Sequence, residues 1–129
     1  MSVKIFRAEK HKNITPAIDK LLGTLPFNMI VAVGGDGTFL KAFKKSVQTK
    51  QPVLCVRSGN SKGVLAEGSL EQISSMAEKI RNRKFSIVKY PMLHGKTESH
   101  KLAGFNEIGF FRTSEEALRF DLFINGVLF

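Results

Sequence analysis

The run Gly34-Gly35-Asp36-Gly37-Thr38 sets one carboxylate among three glycines. Glycines let phosphate oxygens approach the backbone, and amides at the start of a following helix donate to an anion. A carboxylate in such a place is repelled by phosphate unless it holds a metal or accepts a proton, which makes Asp36 the candidate catalytic group. The competing reading is a glycine turn in which Asp36 only caps the helix. A second pair, Asn106-Glu107, offers an amide that both donates and accepts and a carboxylate that can accept from two adjacent hydroxyls. That chemistry suits an adenine edge and a ribose diol; a loop Asn beside a solvated Glu is the alternative.

Val33-Gly34-Gly35-Asp36-Gly37-Thr38-Phe39-Leu40 resembles the signature shared by NAD kinases, diacylglycerol and sphingosine kinases and, more remotely, phosphofructokinases. Gly104-Phe105-Asn106-Glu107-Ile108 resembles the Asn-Glu motif of NAD kinases, which the lipid kinases lack. The segment from Phe85 to Leu93, with Tyr90-Pro91-Met92-Leu93, is similar to the strand before that motif, and Phe120 to Gly126 to the first hairpin strand after it. The resemblance to NAD kinases thus runs through almost the whole chain in order.

It implies transfer of a phosphoryl group from ATP or polyphosphate to the 2′-hydroxyl of the adenosine ribose of NAD, giving NADP. Asp36 would be catalytic; Gly34, Gly35, Gly37, Thr38, Phe39, Leu40, Asn106 and Glu107 would bind the nucleotides. It further implies a divalent metal, in the first place magnesium, no metal-ligating residue set in the chain itself, and a homo-oligomer of the full-length protein. Gly63-Val64-Leu65 departs from the Gly-Phe-Leu or Gly-Phe-Tyr element of the family, because Val64 cannot stack on a base, and Arg57-Ser58-Gly59-Asn60 fits the family's Asn- or His-containing loop poorly. A lipid kinase would show Pro-x-Gly-Thr-x-Asn-Asp after the third strand, and Arg57 to Glu67 contains nothing of that form. A non-catalytic basic module that binds nucleotide or nucleic acid would account for the charge but not for the glycine-aspartate turn.

Strand and helix patterns alternate around these motifs. Val3 to Phe6 reads as a strand; Thr15 caps a helix with Pro16 in its first turn and Ile18, Leu21, Leu22 and Leu25 at helical spacing. Met29 to Val33 is an apolar run of the kind buried on both faces of a parallel sheet. A helix follows from Thr38, with Leu40, Phe43 and Val47 on its apolar face, then a strand from Pro52 to Val56. Ser69 and Gln72 form a capping box ahead of a helix that runs to about Arg81. Beyond Lys84 the pattern predicts strands at Phe85 to Leu93, Lys101 to Phe111 and Arg119 to Ile124, with a tight turn at Asn125-Gly126.

The expected fold is α/β, a Rossmann-like parallel sheet with helices over residues 1–93, followed by the start of a β-rich domain over 94–129. Ligands of such sheets bind outside the carboxyl ends of the strands, where Gly34-Gly35 and Ser58-Gly59 fall. Val127-Leu128-Phe129 begins a return strand that leaves apolar edge uncovered, so the expectation is a truncated second domain.

With 129 residues, 43% apolar and eleven Phe among them, the chain can fill one core. The net charge of +9 suits an anionic ligand, a membrane surface or nucleic acid. Between Asp36 and Glu67 there is no carboxylate, while Lys41, Lys44, Lys45, Lys50, Arg57 and Lys62 all fall there, which favours a phosphate-rich ligand. Nucleic-acid and membrane partners are not expected. No apolar run approaches the roughly 20 residues that span a bilayer, and the lone Cys55 lies in an apolar strand, so a cytoplasmic protein is expected. His11, His94 and His100 lack metal-ligand spacing and read as surface or local hydrogen-bonding residues.

Overall fold

The computed structural model describes residues 3–7, 16–59, 64–117 and 119–129. Thr15, His11, Asn60, Lys62 and Gly63, singled out in the sequence, lie outside these ranges. The chain forms two compact units, Met1–Tyr90 and Pro91–Phe129.

In the first unit four strands, β1 (Val3–Arg7), β2 (Met29–Gly34), β3 (Val53–Arg57) and β4 (Gly68–Ser69), make a parallel sheet in that order. All six residues of β2 are buried, because this strand is paired on both sides and covered on both faces. Its side chains alternate between two cores. Val31 and Val33 join Leu22, Leu25, Val56, Ile73, Ala77 and Ile80, the cluster supplied by α1 (Pro16–Gly23) and α3 (Ile73–Arg81). Ile30 and Ala32 join Cys55 with Phe39 and Ala42 of α2 (Asp36–Thr49). The doubly covered α/β sheet expected from the pattern is the one observed.

Helix α2 begins at Asp36, two residues before the expected start, and its buried face is centred on Phe39 and Ala42 instead of on Leu40, Phe43 and Val47. Phe39 and Ala42 are buried, Leu40 and Phe43 half-buried, and Val47 is exposed. The helix ends on Lys50 in the left-handed region, φ 58°, whose N–H donates to the Ser46 carbonyl at 2.7 Å. The Ser69/Gln72 capping box is present, with the Ser69 N–H donating to Gln72 Oε1 at 3.0 Å, but it opens a 3₁₀ turn at Leu70–Gln72 that leads into α3. The Arg81 guanidinium donates to Thr24 Oγ1 at 2.7 Å and ties the end of α3 to the end of α1.

The strand expected from Phe85 to Leu93 does not form. Residues 84–92 are irregular, and alternation alone could not supply a neighbouring strand. Phe85 instead packs edge-on against Phe27, ring centroids 5.5 Å apart at 78°.

In the second unit β5 (Leu93–Lys96) and β6 (Lys101–Gly104) pair antiparallel, as do β7 (Phe123–Ile124) and β8 (Val127–Leu128). The strands expected over Lys101 to Phe111 and Arg119 to Ile124 are therefore much shorter than the alternation suggested. The Asn125-Gly126 turn is present, with φ 52° and 82°, the two positive values that such a tight hairpin turn requires.

Candidate functional site

Strand β2 runs out at Gly34, and Gly35 stands as the N-cap of α2 in extended conformation, φ −114° and ψ −173°. Its carbonyl accepts from the amides of Thr38 at 2.9 Å and Phe39 at 3.2 Å, so the first turn of the helix is closed from the glycine side. Asp36 is the first helical residue. Its Oδ1 is buried and has no hydrogen-bond partner among the described residues. An unpartnered buried oxygen of this kind costs about 1–3 kcal/mol and calls for an explanation in function or in a missing partner. Gly37 is exposed, and a Cβ placed on it would meet no atom within 4 Å. Thr38 and Leu40 are half-buried at the same helix end, whereas the Phe39 side chain is wholly buried in the core under α2.

A second acidic residue, Glu67, which the sequence did not single out, is tied to β3 just before β4. Glu67 donates its N–H to the Cys55 carbonyl at 2.9 Å. Burial pushes the Cys55 thiol up to about 12, and the carboxylates of Glu67 and Asp36 add to the rise. Both carboxylates thus oppose ionisation of the same buried thiol. Nothing in the sequence signals this, because the link runs through strand pairing.

The raised thiol has a consequence for stability. In the unfolded chain Cys55 ionises near the ordinary thiol value, about 8.5, while in the folded chain it stays protonated to about 12. Between these values the folded state binds the extra proton, so stability is intact below the lower value and falls as pH rises through the window, by up to about 1.4 kcal/mol per pH unit. Chemical denaturation at pH 8 and pH 10.5 should show a steeper alkaline loss for the wild type than for Cys55→Ala. Equal slopes would mean that Cys55 does not titrate differently on folding.

Arg57 ends β3 in register with Gly34 and is exposed, and the Ser58 side chain after it is buried. Gly59 turns the chain in the left-handed region, φ 57°. Val64 is 89% exposed. Lys41 and Lys44 lie exposed on α2 and Lys45 is half-buried there, while Lys50 caps the opposite end of the helix, so the carboxylate-free stretch gives α2 a basic surface.

Asn106 and Glu107 belong to the second unit, where both are exposed in the chain just after β6. His100 accepts or donates at Nδ1 with Ser99 Oγ at 2.7 Å, a local contact of the kind expected. Among the described residues no three of His, Cys, Asp and Glu gather in a metal-holding group, and no helix is long and apolar enough to cross a membrane.

Comparison with known proteins gives this geometry a family context. The ATP-NAD kinase N-terminal domain family matches residues 1–85. The chain is 28% identical over 114 residues to an NAD kinase of Saccharolobus solfataricus, covering 88% of this chain and 44% of that protein. It is 31% identical over 91 residues to an NAD kinase of Sulfurisphaera tokodaii, covering 70% of this chain and 35% of the relative. An NAD kinase of Sulfurimonas denitrificans is 33% identical over 90 residues, 67% of this chain and 31% of the relative. The chain thus spans less than half the length of these relatives.

Proposed function

Since the chain belongs to the NAD kinase family, we propose that it carries the catalytic carboxylate and part of the nucleotide-binding surface of an enzyme that phosphorylates the adenosine ribose of NAD. The observation that carries this reading is the orphaned, buried Oδ1 of Asp36 at the amino end of α2, beside a glycine with open space in front of it. In the reaction the 2′-hydroxyl oxygen of NAD bonds to the terminal phosphorus of ATP or polyphosphate. The bond from that phosphorus to the bridging oxygen breaks, and the hydroxyl proton passes to Asp36. The glycine turn lets phosphate oxygens approach the backbone, and the first amides of α2 face developing negative charge. Asn106 and Glu107 provide donors and acceptors suited to the adenosine of NAD.

Magnesium enters this reading as a companion of the phosphoryl donor. It would be held mainly through the donor's phosphates and water, and with Asp36 assigned to the hydroxyl proton no carboxylate of this chain is assigned to it. When bound, it offsets the charge of the phosphates. The protein works in the cytoplasm on this reading, as a homo-oligomer, with NAD and ATP or polyphosphate as its partners.

The assay that tests it supplies the intact protein with ATP-magnesium and, separately, NAD, diacylglycerol and sphingosine. NADP should form and neither lipid should be phosphorylated, because Asn106-Glu107 offers nucleoside contacts and no apolar acyl pocket is implied by it. Phosphorylated lipid without NADP would overturn the proposal.

A further inference from the structure

Resting on the reading of Asn106 and Glu107 as nucleoside contacts, we propose that Gly95 and Gly104 form a bare shelf on the β5–β6 hairpin that sets the angle at which this pair is presented. They are positioning residues, acting through the backbone that carries Asn106 and Glu107.

In this antiparallel pair Leu93 lies opposite Gly104 and Gly95 opposite Leu102. Opposed residues share a face, and alternate residues along a strand share it too. Leu93, Gly95, Leu102 and Gly104 therefore line one side of the hairpin, with its two glycines set diagonally. The chain turns back over this side after β6. A Cβ built on Gly104 would run into the Glu107 carbonyl oxygen well inside van der Waals contact and would lie 3.1 Å from Ile108 Cγ1. A Cβ built on Gly95 would lie 3.1 Å from Ile108 Cδ1. Ile108 thus rests over both bare positions, and the Glu107 carbonyl comes so close to Gly104 that only glycine fits. Ile108 is half-buried over this shelf, and the side chains of Asn106 and Glu107 are both exposed.

The two glycines differ in what opposes an added methyl. At Gly104 it is a backbone carbonyl, which can yield only if the Asn106-Glu107 segment moves. At Gly95 it is the tip of a flexible side chain, which can turn aside. Displacements near 1 Å in a positioning element can cost up to about 100-fold in rate, so the effects should be graded.

Steady-state kinetics and thermal melts of the intact protein test this. Gly104→Ala should raise KM for NAD by about tenfold or more, with kcat at saturating NAD within about threefold and KM for ATP unchanged. Gly95→Ala should raise KM for NAD by about threefold, and adding Ile108→Val, which removes the opposing Cδ1, should restore it. The same addition should not rescue Gly104→Ala. If Gly104→Ala melts too low for kinetics, Gly95→Ala and its rescue decide the matter. An unchanged KM for NAD in the glycine variants, or KM for ATP rising in step with KM for NAD, overturns the shelf. Glu107→Gln separates this from failure of the underlying reading. If it raises KM for NAD while the glycine variants do not, the shelf alone fails; if it leaves KM for NAD unchanged, the nucleoside assignment fails and the shelf with it.

Discussion

Replacing Asp36 by Asn should lower kcat of the intact protein by about 10³-fold, equivalent to about 4 kcal/mol of barrier, while the Kd for NAD changes by less than about threefold. The amide preserves the shape of the carboxyl group and removes its ability to take a proton. The same substitution should leave the melting temperature equal or slightly higher. Asp36 Oδ1 makes no hydrogen bond among the described residues, so the fold loses no contact to it. A neutral amide in a buried position also costs less to desolvate than a carboxylate. The combination of lost turnover, retained binding and unimpaired folding separates a proton acceptor from the helix-capping reading of the same residue. If turnover and NAD affinity fall together, or if the protein melts several degrees lower, Asp36 holds the structure or the substrate and another group accepts the proton.

The second large effect is expected at Gly37, where activity and stability should move in opposite directions. A methyl group there meets no protein atom within 4 Å, so Gly37→Ala introduces no clash in the folded chain. In the first turn of α2 it also exchanges the most flexible residue for the best helix former, a gain of up to about 1 kcal/mol. A rise of a few degrees in melting temperature follows. The space the methyl fills is the space in which a phosphate oxygen would approach the backbone, and kcat/KM should fall by about 100-fold, close to 3 kcal/mol of transition-state stabilisation. Kinetics and differential scanning calorimetry on one preparation read both effects. Full activity in a stabilised Gly37→Ala protein would mean that phosphate does not pass over this residue, and the glycine turn would lose its assigned role.

Local chemistry was sufficient to specify several elements in advance. The uninterrupted apolar run from Met29 to Val33 can be solvated on neither face, so it had to become an inner strand of a covered sheet. Ser69 and Gln72 satisfy each other's orphaned amides within one turn, and Asn125-Gly126 tolerates the two positive φ values of a tight hairpin. The candidate residues Gly34 to Leu40 were legible for the same reason, since they follow one another in a strand-to-helix turn.

Tertiary structure decided what depends on a partner. Alternating apolar residues from Phe85 onward had the strand period but no strand to pair with, and Phe85 went to Phe27 instead. Gly68–Ser69 has little strand propensity, yet pairing with the end of β3 makes it the fourth strand. That pairing brings Glu67 to Cys55, and with it a second carboxylate to the thiol that Asp36 also faces electrostatically. Likewise the need for glycine at position 104 comes from the Glu107 carbonyl folded back upon it. Backbone preferences are written residue by residue in the sequence; distances between charges, and between a glycine and a carbonyl three residues on, are fixed only when the chain has chosen which strand to lie beside.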